Sequence, residues 1–579
     1  VSASPEQGLI ACAYKSRIYY DYNDNTIKTE TEYRDGNNPD LPQWIEATYT
    51  YDLLDKLVES SQRVNNNEMV TTRLRYDANE NLIARITPAS VAGIEPANKV
   101  VITYDERDLV YRVTGAPGTP QETTVTYFYD KNGNQIKILD AQDNDGDGQN
   151  ESVLTEYDGF DRVRRIVDAV GNEARFFYDP ASNVIRSERW GKINNQATGN
   201  VLLSQSFGYY DELSRVYQSD AGLFMPTGAT TTRAVVLSDN DATPGDGKIT
   251  SYMDYDRNSR VAFVTAASPA SALEMSQFFY DGASRVIKAV DAEGNEVSSD
   301  YDKNSNVVKT TVVEKHATGR IPNETFVSWN VYDSLNRVVR TTSNIGQTRR
   351  FYYDSRNLLI RTSDAQGPEI PDPLNLYTGG NINSDGNISE IVKDGLGRTL
   401  RTIRELKIDG QGGNPLDQSN PSNPDGKIIE NQTWDLNSRL AYVSDDKGNT
   451  TAYQYDSLNR LITTTFADGT TNAAEYDKDS NLVRFTDNNG SVITNAYDAI
   501  NRLTGRTIAR STTNNVQGTT AQAFEYDGFS RLTRATDNNS PDTTQDDATV
   551  ERKYDSLGRL VEEIQNGKVV SYNWTQAGD

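Results

Sequence analysis

The sequence is short of the residues that carry most enzyme chemistry. Its 579 residues include one cysteine, Cys12, and one histidine, His316. A lone cysteine closes no internal disulfide and leaves the redox compartment undetermined. With Cys12 and His316 some 300 residues apart, cysteine–histidine catalysis and a histidine-containing zinc cluster both lack partners. His316, in Glu314-Lys315-His316-Ala317-Thr318-Gly319, reads as a loop residue rather than a base. Long apolar runs are missing too, and none reaches the roughly 18 residues that cross a bilayer. Basic excess is also absent. Lys plus Arg is 58 against 83 for Asp plus Glu, a net charge of −25, which argues against binding nucleic acid or an anionic membrane by bulk electrostatics. A cationic partner or divalent ions remain compatible with it. Carboxylates are plentiful, but no pair stands out for glycoside hydrolysis. The hydrophobic fraction of 36% and mean hydropathy of −0.69 predict a thin core, while 33 tyrosines and steady β-branched residues separate the chain from disordered acidic sequences.

Val1 in place of Met points to an upstream segment. Leu9-Ile10-Ala11-Cys12 has the outline of a lipoprotein cleavage box. The preceding Ser4-Pro5-Glu6-Gln7-Gly8 lacks the basic and apolar regions of a signal peptide, so Cys12 reads as buried or incidental.

What the chain has in abundance is one repeated unit. Tyr455, Tyr476 and Tyr497 stand 21 residues apart, each followed by Asp, a polar turn and an apolar doublet. Tyr-Asp pairs recur 18 times, from Tyr20 to Tyr554, and two degenerate copies, Lys393-Asp394 and Trp434-Asp435, fill the largest gap. A fixed period of this length marks an array whose units cannot bury their own apolar faces and stack on neighbours instead. The fourth residue after Tyr is Asp, Ser, Asn or Gly in most units, as in Asp161, Ser182, Asn459 and Gly558, which suits a turn. The Asp after Tyr is placed to accept from amides two or three residues on. Next come Arg or Asn and two apolar residues, as in Arg460-Leu461-Ile462, then a stretch with strand character and a second turn such as Asp445-Asp446-Lys447-Gly448-Asn449. Each unit therefore predicts two antiparallel strands and two turns. The expected fold is all-β: about 20 hairpins in one continuous, spiralling, single-layer sheet, either a hollow shell or an open ribbon. Residues 1–19 form a lead-in, and 20–579 form an array that ends inside a repeat. About 40 strands at roughly 4.8 Å would span about 190 Å as a straight ribbon.

The repeat aromatics, among them Tyr157, Tyr178, Tyr280, Tyr301, Tyr332, Tyr353, Trp434, Tyr455, Tyr476 and Tyr497, are expected to hold the sheet together by stacking ring on ring. Trp434 would keep the aromatic plane and lose the hydroxyl. The Arg five residues after Tyr is expected to serve as a salt-bridge or stacking partner.

The pattern Tyr-Asp, three turn residues, Arg or Asn, apolar doublet, then Asp-x-x-Gly resembles the YD repeats of the Rhs family, which includes the C components of insecticidal toxin complexes and the teneurins. The resemblance runs from Tyr20 to about Ser571. It implies hairpins that wind into a hollow β-shell around a polypeptide, often a toxin, or that act as extracellular interaction modules. The family's self-cleaving end domain has no match: Asp555-Ser556-Leu557-Gly558-Arg559 follows Tyr554 and reads as a repeat turn. Toxin and protease functions are therefore not carried over.

Units longer than 21 residues gain length mainly at the Asp-x-x-Gly turn, which predicts one smooth rim and one decorated rim. In the insert at 143–151, Asp143, Asp145 and Asp147 occupy the first, third and fifth places of a calcium loop, with Gly148 sixth and Glu151 ninth. The twelfth place is Leu154, which excludes a complete EF-hand and leaves a shorter calcium loop or a metal-free Asp-Gly turn. Weaker versions of the pattern put Ca2+ at Asp239, Asp241 and Asp246, at Asn381, Asn383 and Asp385, and at Asn423 and Asp425. The leading expectation is a non-enzymatic wall, secreted or on the cell surface, that encloses a polypeptide cargo. The alternative is an extracellular fibre whose rim loops bind glycans or cell-surface receptors.

Overall fold

The computed structural model describes residues 14–34, 37–144, 146, 148–194, 197, 199–226, 247–266, 274–316, 322–365, 387–405, 426–512, 518–539, 547–572 and 574. Among them lie 41 strands, from Ser16–Tyr20 to Lys568–Ser571, and a single helical turn, Pro88–Val91. Each strand pairs antiparallel with the next one in the chain, and the first and last strands do not pair with each other. The result is one open all-β sheet, not a barrel, whose first described strand is Ser16–Tyr20.

The unit that carries Tyr455 shows why the sequence folds this way. Strand Thr450–Tyr455 pairs with Leu461–Thr465, and the register shifts between Gln454 and Tyr455. The Asp456 amide donates to the Arg460 carbonyl at 3.0 Å and the Asn459 amide to the Asp456 carbonyl at 2.9 Å. This closure puts Asn459 at φ +65°, a left-handed conformation. The same position is left-handed at Asp161 (+58°), Ser182 (+68°) and Gly558 (+86°). Short polar residues and glycine tolerate that backbone best, which explains their recurrence four places after Tyr.

Neither face of the ribbon builds a deep core. Most described strand residues are half-buried on both sides, and among the described residues the one hydrophobic cluster of buried residues is Tyr33, Leu41 and Ile45, in and beside the loop after the second strand. Stability must therefore come mostly from contacts between consecutive hairpins.

The ribbon also winds over itself. Hydrogen bonds join residues 323 to 361 positions apart, always between an Asp-x-x-Gly-side loop early in the chain and a Tyr-Asp turn late in it. The loop between Thr26–Glu32 and Trp44–Tyr51, for example, meets the turns beside Tyr353 and Lys393. That is 23 to 25 strands further along. At roughly 4.8 Å per strand, such a circuit is about 115 Å around and about 37 Å across. The 41 strands make somewhat less than two circuits, and the second circuit sits on the first.

Candidate functional site: the rim turns and the seam between coils

Each Tyr-Asp turn is a closed polar device. The Asp456 Oδ1 accepts from the amides of Leu458 at 2.9 Å and Arg460 at 3.0 Å, and Oδ2 accepts from Arg460 Nε at 2.7 Å. The amides bonded lie two and four residues on, not two and three, because the left-handed residue swings the fourth amide back toward the carboxylate. Arg460 then reaches the following unit, donating to the Asp477 carbonyl at 2.6 Å and lying 4.8 Å from the centre of the Tyr476 ring. The same hydrogen bond from the turn's own Arg holds the carboxyls of Asp158, Asp211, Asp256 and Asp281 below the usual carboxylate range. The Arg position is therefore both salt bridge and ring partner, as its spacing predicted.

The tyrosines hold the wall, but not by ring-on-ring stacking. Where the preceding unit carries Arg, the ring meets its guanidinium, as in Arg162 on Tyr178, Arg260 on Tyr280, Arg285 on Tyr301, Arg337 on Tyr353 and Arg439 on Tyr455. Each hydroxyl donates to a main-chain carbonyl of the previous hairpin. The bonds run from Tyr157 to Gln135, Tyr178 to Val163, Tyr280 to Val261, Tyr301 to Val286 and Tyr332 to Val307, all at 2.7 to 3.0 Å. They continue from Tyr353 to Val338, Tyr455 to Leu440, Tyr476 to Leu461 and Tyr497 to Leu482, at 2.9 to 3.0 Å. Burial pushes the phenols of Tyr332, Tyr353, Tyr455 and Tyr497 up. Trp434 forfeits nothing here, because its Nε1 donates to the Thr399 carbonyl at 2.7 Å. What recurs is an aromatic plane with a donor at its tip.

The seam was not visible from the repeat. Asn37 and Asn38 donate to the carbonyls of Ile391 and Lys393 at 3.0 and 2.9 Å, and Ser355 donates to the Glu32 carbonyl at 2.6 Å. The Gly395 amide donates to the Val64 carbonyl, and that of Gly528 to the Lys192 carbonyl, each at 2.7 Å. The Ala89 amide donates to Asn437 Oδ1 at 2.9 Å, and Arg439 pairs with Glu95. Ser556 donates to the Gly222 carbonyl at 2.6 Å while its own amide donates to the Phe224 carbonyl at 2.9 Å. These contacts engage the lengthened loops of the first coil. The decorated rim was expected to meet ligands, yet its described first-coil loops are occupied by the second coil.

The loop at 140–151 belongs to this seam. The Asp479 carboxylate accepts from the Ala141 amide at 3.2 Å and from Asn144 Nδ2 at 2.9 Å, and the Lys478 amide donates to Gln142 Oε1 at 2.9 Å. Of the candidate calcium ligands in this loop, Asp143 accepts from the amides of Gly146 and Gly148, and buried Glu151 accepts from the Asn144 amide. Asp145 and Asp147 lie outside the described residues, as do Asp239, Asp241, Asp246, Asn381, Asn383, Asp385, Asn423 and Asp425. Among the described residues, no three acidic, histidine or cysteine side chains gather as a metal site. His316 is half-buried in its loop, its amide donating to Asn323 Oδ1 at 3.2 Å. No described helix is long and apolar enough to cross a membrane.

A single antiparallel sheet built from linked Tyr-Asp hairpins defines a structural repeat protein. The family model described as RHS Repeat matches residues 332–369 and 434–471. A search of curated protein sequences gives no match. Among solved structures the chain is similar to TcdB2-TccC3-TEV, at 13% identity over 95% of this chain and 29% of that one, with a TM-score of 0.37. It is also similar to the Tc holotoxin pore of Photorhabdus luminescens, at 12% identity over 93% of this chain and 29% of that one, with a TM-score of 0.36. The chain thus spans about three-tenths of the length of these solved chains.

Proposed function

We propose that the protein is a non-enzymatic wall that encloses a polypeptide cargo, working outside the cell that makes it, either secreted or held at the surface. The observation that carries this reading is the seam. A single-layer ribbon that bonds to itself after each circuit of about 24 strands bounds a lumen, and about 37 Å between opposite walls leaves room for an extended or compact polypeptide segment. Thin, doubly polar strands suit a wall wetted on both sides. The enclosed face is tested by cysteine accessibility in a Cys12→Ser background. Phe278 and Phe279 are adjacent on one strand and point to opposite faces. A cysteine at either position should react with a small maleimide, but only one of the two should react with a maleimide on a 10 kDa polymer. Equal reaction of both with the polymer would rule out a lumen.

Calcium in the loop of Asp143, Asp145, Asp147 and Glu151 is a separate part of the proposal, supported by the alternating hard oxygen ligands of that loop. Calorimetric titration of the protein and of Asp145→Ala checks it. Identical heats and identical thermal midpoints remove the ion.

A further inference from the structure

One face of the ribbon carries a charge pattern that the chain as a whole does not. The residue eight places after the repeat aromatic is Lys or Arg in 12 of the 20 units, although only 58 of the 579 residues are basic. It lies directly across the ladder from the residue before the aromatic, as Lys137 does from Phe128, Arg165 from Glu156 and Arg186 from Phe177. Directly paired residues point to the same side of a sheet, and so do alternate residues of one strand. The basic position therefore forms a row along a single face.

Four consecutive units supply Arg112, Lys137, Arg165 and Arg186 to this row. From strand Val110–Gly115 to strand Val201–Tyr210 the face holds six cations, these four with Arg164 and Arg175, against Glu156, Glu173 and Glu188. That is an excess of three positive charges in a chain of net charge −25. Among the described residues of these strands the opposite face carries a single charge, Arg189, which pairs with Ala174. All three carboxylates are taken: Glu156 by Arg164 and Arg165, Glu173 by Arg165 and Arg175, and Glu188 by Arg186 at 3.4 Å. Arg112 and Lys137 bond no carboxylate among the described residues and lie against the rings of Tyr111 and Phe128, 4.8 and 5.9 Å from their centres. Arg175 lies 4.6 Å from the centre of the Trp190 ring and Arg186 3.6 Å from that of Phe177. Five arginines and two carboxylates, with Phe177 and Phe207, line a groove of about 980 Å³ here. Phe128, Leu154 and Ile185 add apolar surface, each 38 to 42% exposed, so the face offers charge and apolar contact side by side.

We propose that this face binds a linear acidic polysaccharide laid across the strands. Cations that recur on every second strand stand about 9.6 Å apart, close to the length of two extended pyranose rings. A polymer with one carboxylate per disaccharide therefore meets one cation per hairpin. The rings and flat guanidiniums between the charges match the apolar faces of the sugars. A nucleic acid fits worse, because its phosphates follow one another at about 3.4 Å along each strand, and a strongly acidic chain repels so dense a charge. Each contact is weak alone, and the row acts by repetition along one polymer. The row belongs to the ribbon itself, so it stands whether or not the wall encloses a cargo, and the two readings fail separately.

The test is calorimetric titration of the whole chain with a hyaluronan decasaccharide, which has one carboxylate per disaccharide. Binding should appear at low ionic strength and weaken as salt is added. An uncharged dextran of the same length should not bind, and poly-glutamate and oligothymidylate should bind roughly tenfold more weakly or not at all. Arg112→Gln together with Lys137→Gln leaves no carboxylate unpaired, so the fold and thermal midpoint should hold while decasaccharide binding weakens roughly tenfold. Lys131→Gln, on an exposed turn tip, should leave binding unchanged. No heat with the decasaccharide, equal binding of dextran, equal or tighter binding of poly-glutamate or oligothymidylate, or an affinity that survives the paired substitution overturns the proposal.

Discussion

The Tyr-Asp turns of the first coil and those of the second are built from the same residues, but they do different work. In the first coil the tips face solvent, and Leu53 and Tyr22 are as exposed as in an extended chain, at 101% and 107%. In the second coil the same rim is covered by loops, and Asp354, Asp394 and Asp555 are exposed by 1% or less. The comparison separates what the repeat needs to form a hairpin from what it needs to form a seam. The Asp carboxylate, the left-handed fourth residue and the aromatic tip donor are common to both coils and serve the hairpin. The second residue after the aromatic is where the coils part. It is Ser355, Gly395, Ser457, Ala499, Gly528 and Ser556 in the second coil, but Tyr22, Leu53, Glu106, Lys131, Glu212 and Arg257 in the first. Leu436 and Lys478 on one side, and Ala78, Gly159, Gly282 and Ser334 on the other, break the trend.

The sharpest way to break this comparison is to fill the closest approach. A Cβ on Gly395 would lie 2.0 Å from the Arg63 carbonyl oxygen, and one on Gly528 would lie 2.5 Å from the Gly191 Cα, while one on Gly282 meets nothing within 4 Å. Gly395→Ala or Gly528→Ala should cost about 3 kcal/mol in chemical denaturation, at the upper end for overpacking, because main chain cannot yield as a side chain can. Gly282→Ala at the same repeat position should be nearly silent. Next in size is Arg439→Ala, which strands both Glu95 across the seam and Asp435 in its own turn. A loss of about 2 kcal/mol is expected, since two partly buried carboxylates are left without their cation. The corresponding Arg260→Ala strands only Asp256 and should cost about 1 kcal/mol.

Smaller still is the loss of a tip donor. Tyr455→Phe and Trp434→Phe should each cost about 1 kcal/mol, the net worth of one hydrogen bond whose acceptor carbonyl is left short. The two should match, because the indole and the phenol do the same work in the sheet. A Trp434→Phe variant as stable as the parent would return that residue to pure packing. The smallest effect belongs to the exposed rim, where Leu53→Ser and Phe160→Ser should change stability by no more than about 0.5 kcal/mol. Equal losses on both rims, measured by the same denaturation, would erase the distinction between the coils.

The parts of the fold written within one unit could be read directly from the sequence. The 21-residue spacing, the turn residues and the apolar doublet are local, and they yielded an all-β array of about 20 hairpins, close to the 41 strands among the described residues. The mode of tyrosine packing was misjudged, because ring-on-ring and ring-on-guanidinium contacts need the same aromatic spacing, and only the neighbouring Arg decides between them. The seam was hidden for a different reason. Its partners are 323 to 361 residues apart, and the contacts use loops whose lengths vary, so no period announces them. Rim loops read as ligand-facing in the fibre alternative, whereas Asn37, Asn98 and Asn144 carry described first-coil loops across to the second coil. The small residue two places after the aromatic was the available signal, and it becomes meaningful only when the units are sorted by circuit.

The direction of the tyrosine bond carries one more consequence. The tyrosine and tryptophan tip donors named above reach back to a carbonyl already laid down in the preceding hairpin, as Tyr476 does to Leu461. A chain leaving the ribosome therefore meets each bonding partner before it needs one, and the ribbon can set hairpin by hairpin behind the exit tunnel. The seam keeps a slower clock: its first bonds wait until Ser355 and Gly395 have been made. Synthesis is thus split into a long phase of extension, in which each hairpin is set by the one before it, and a late phase of coiling, in which the ribbon fastens onto loops made hundreds of residues earlier.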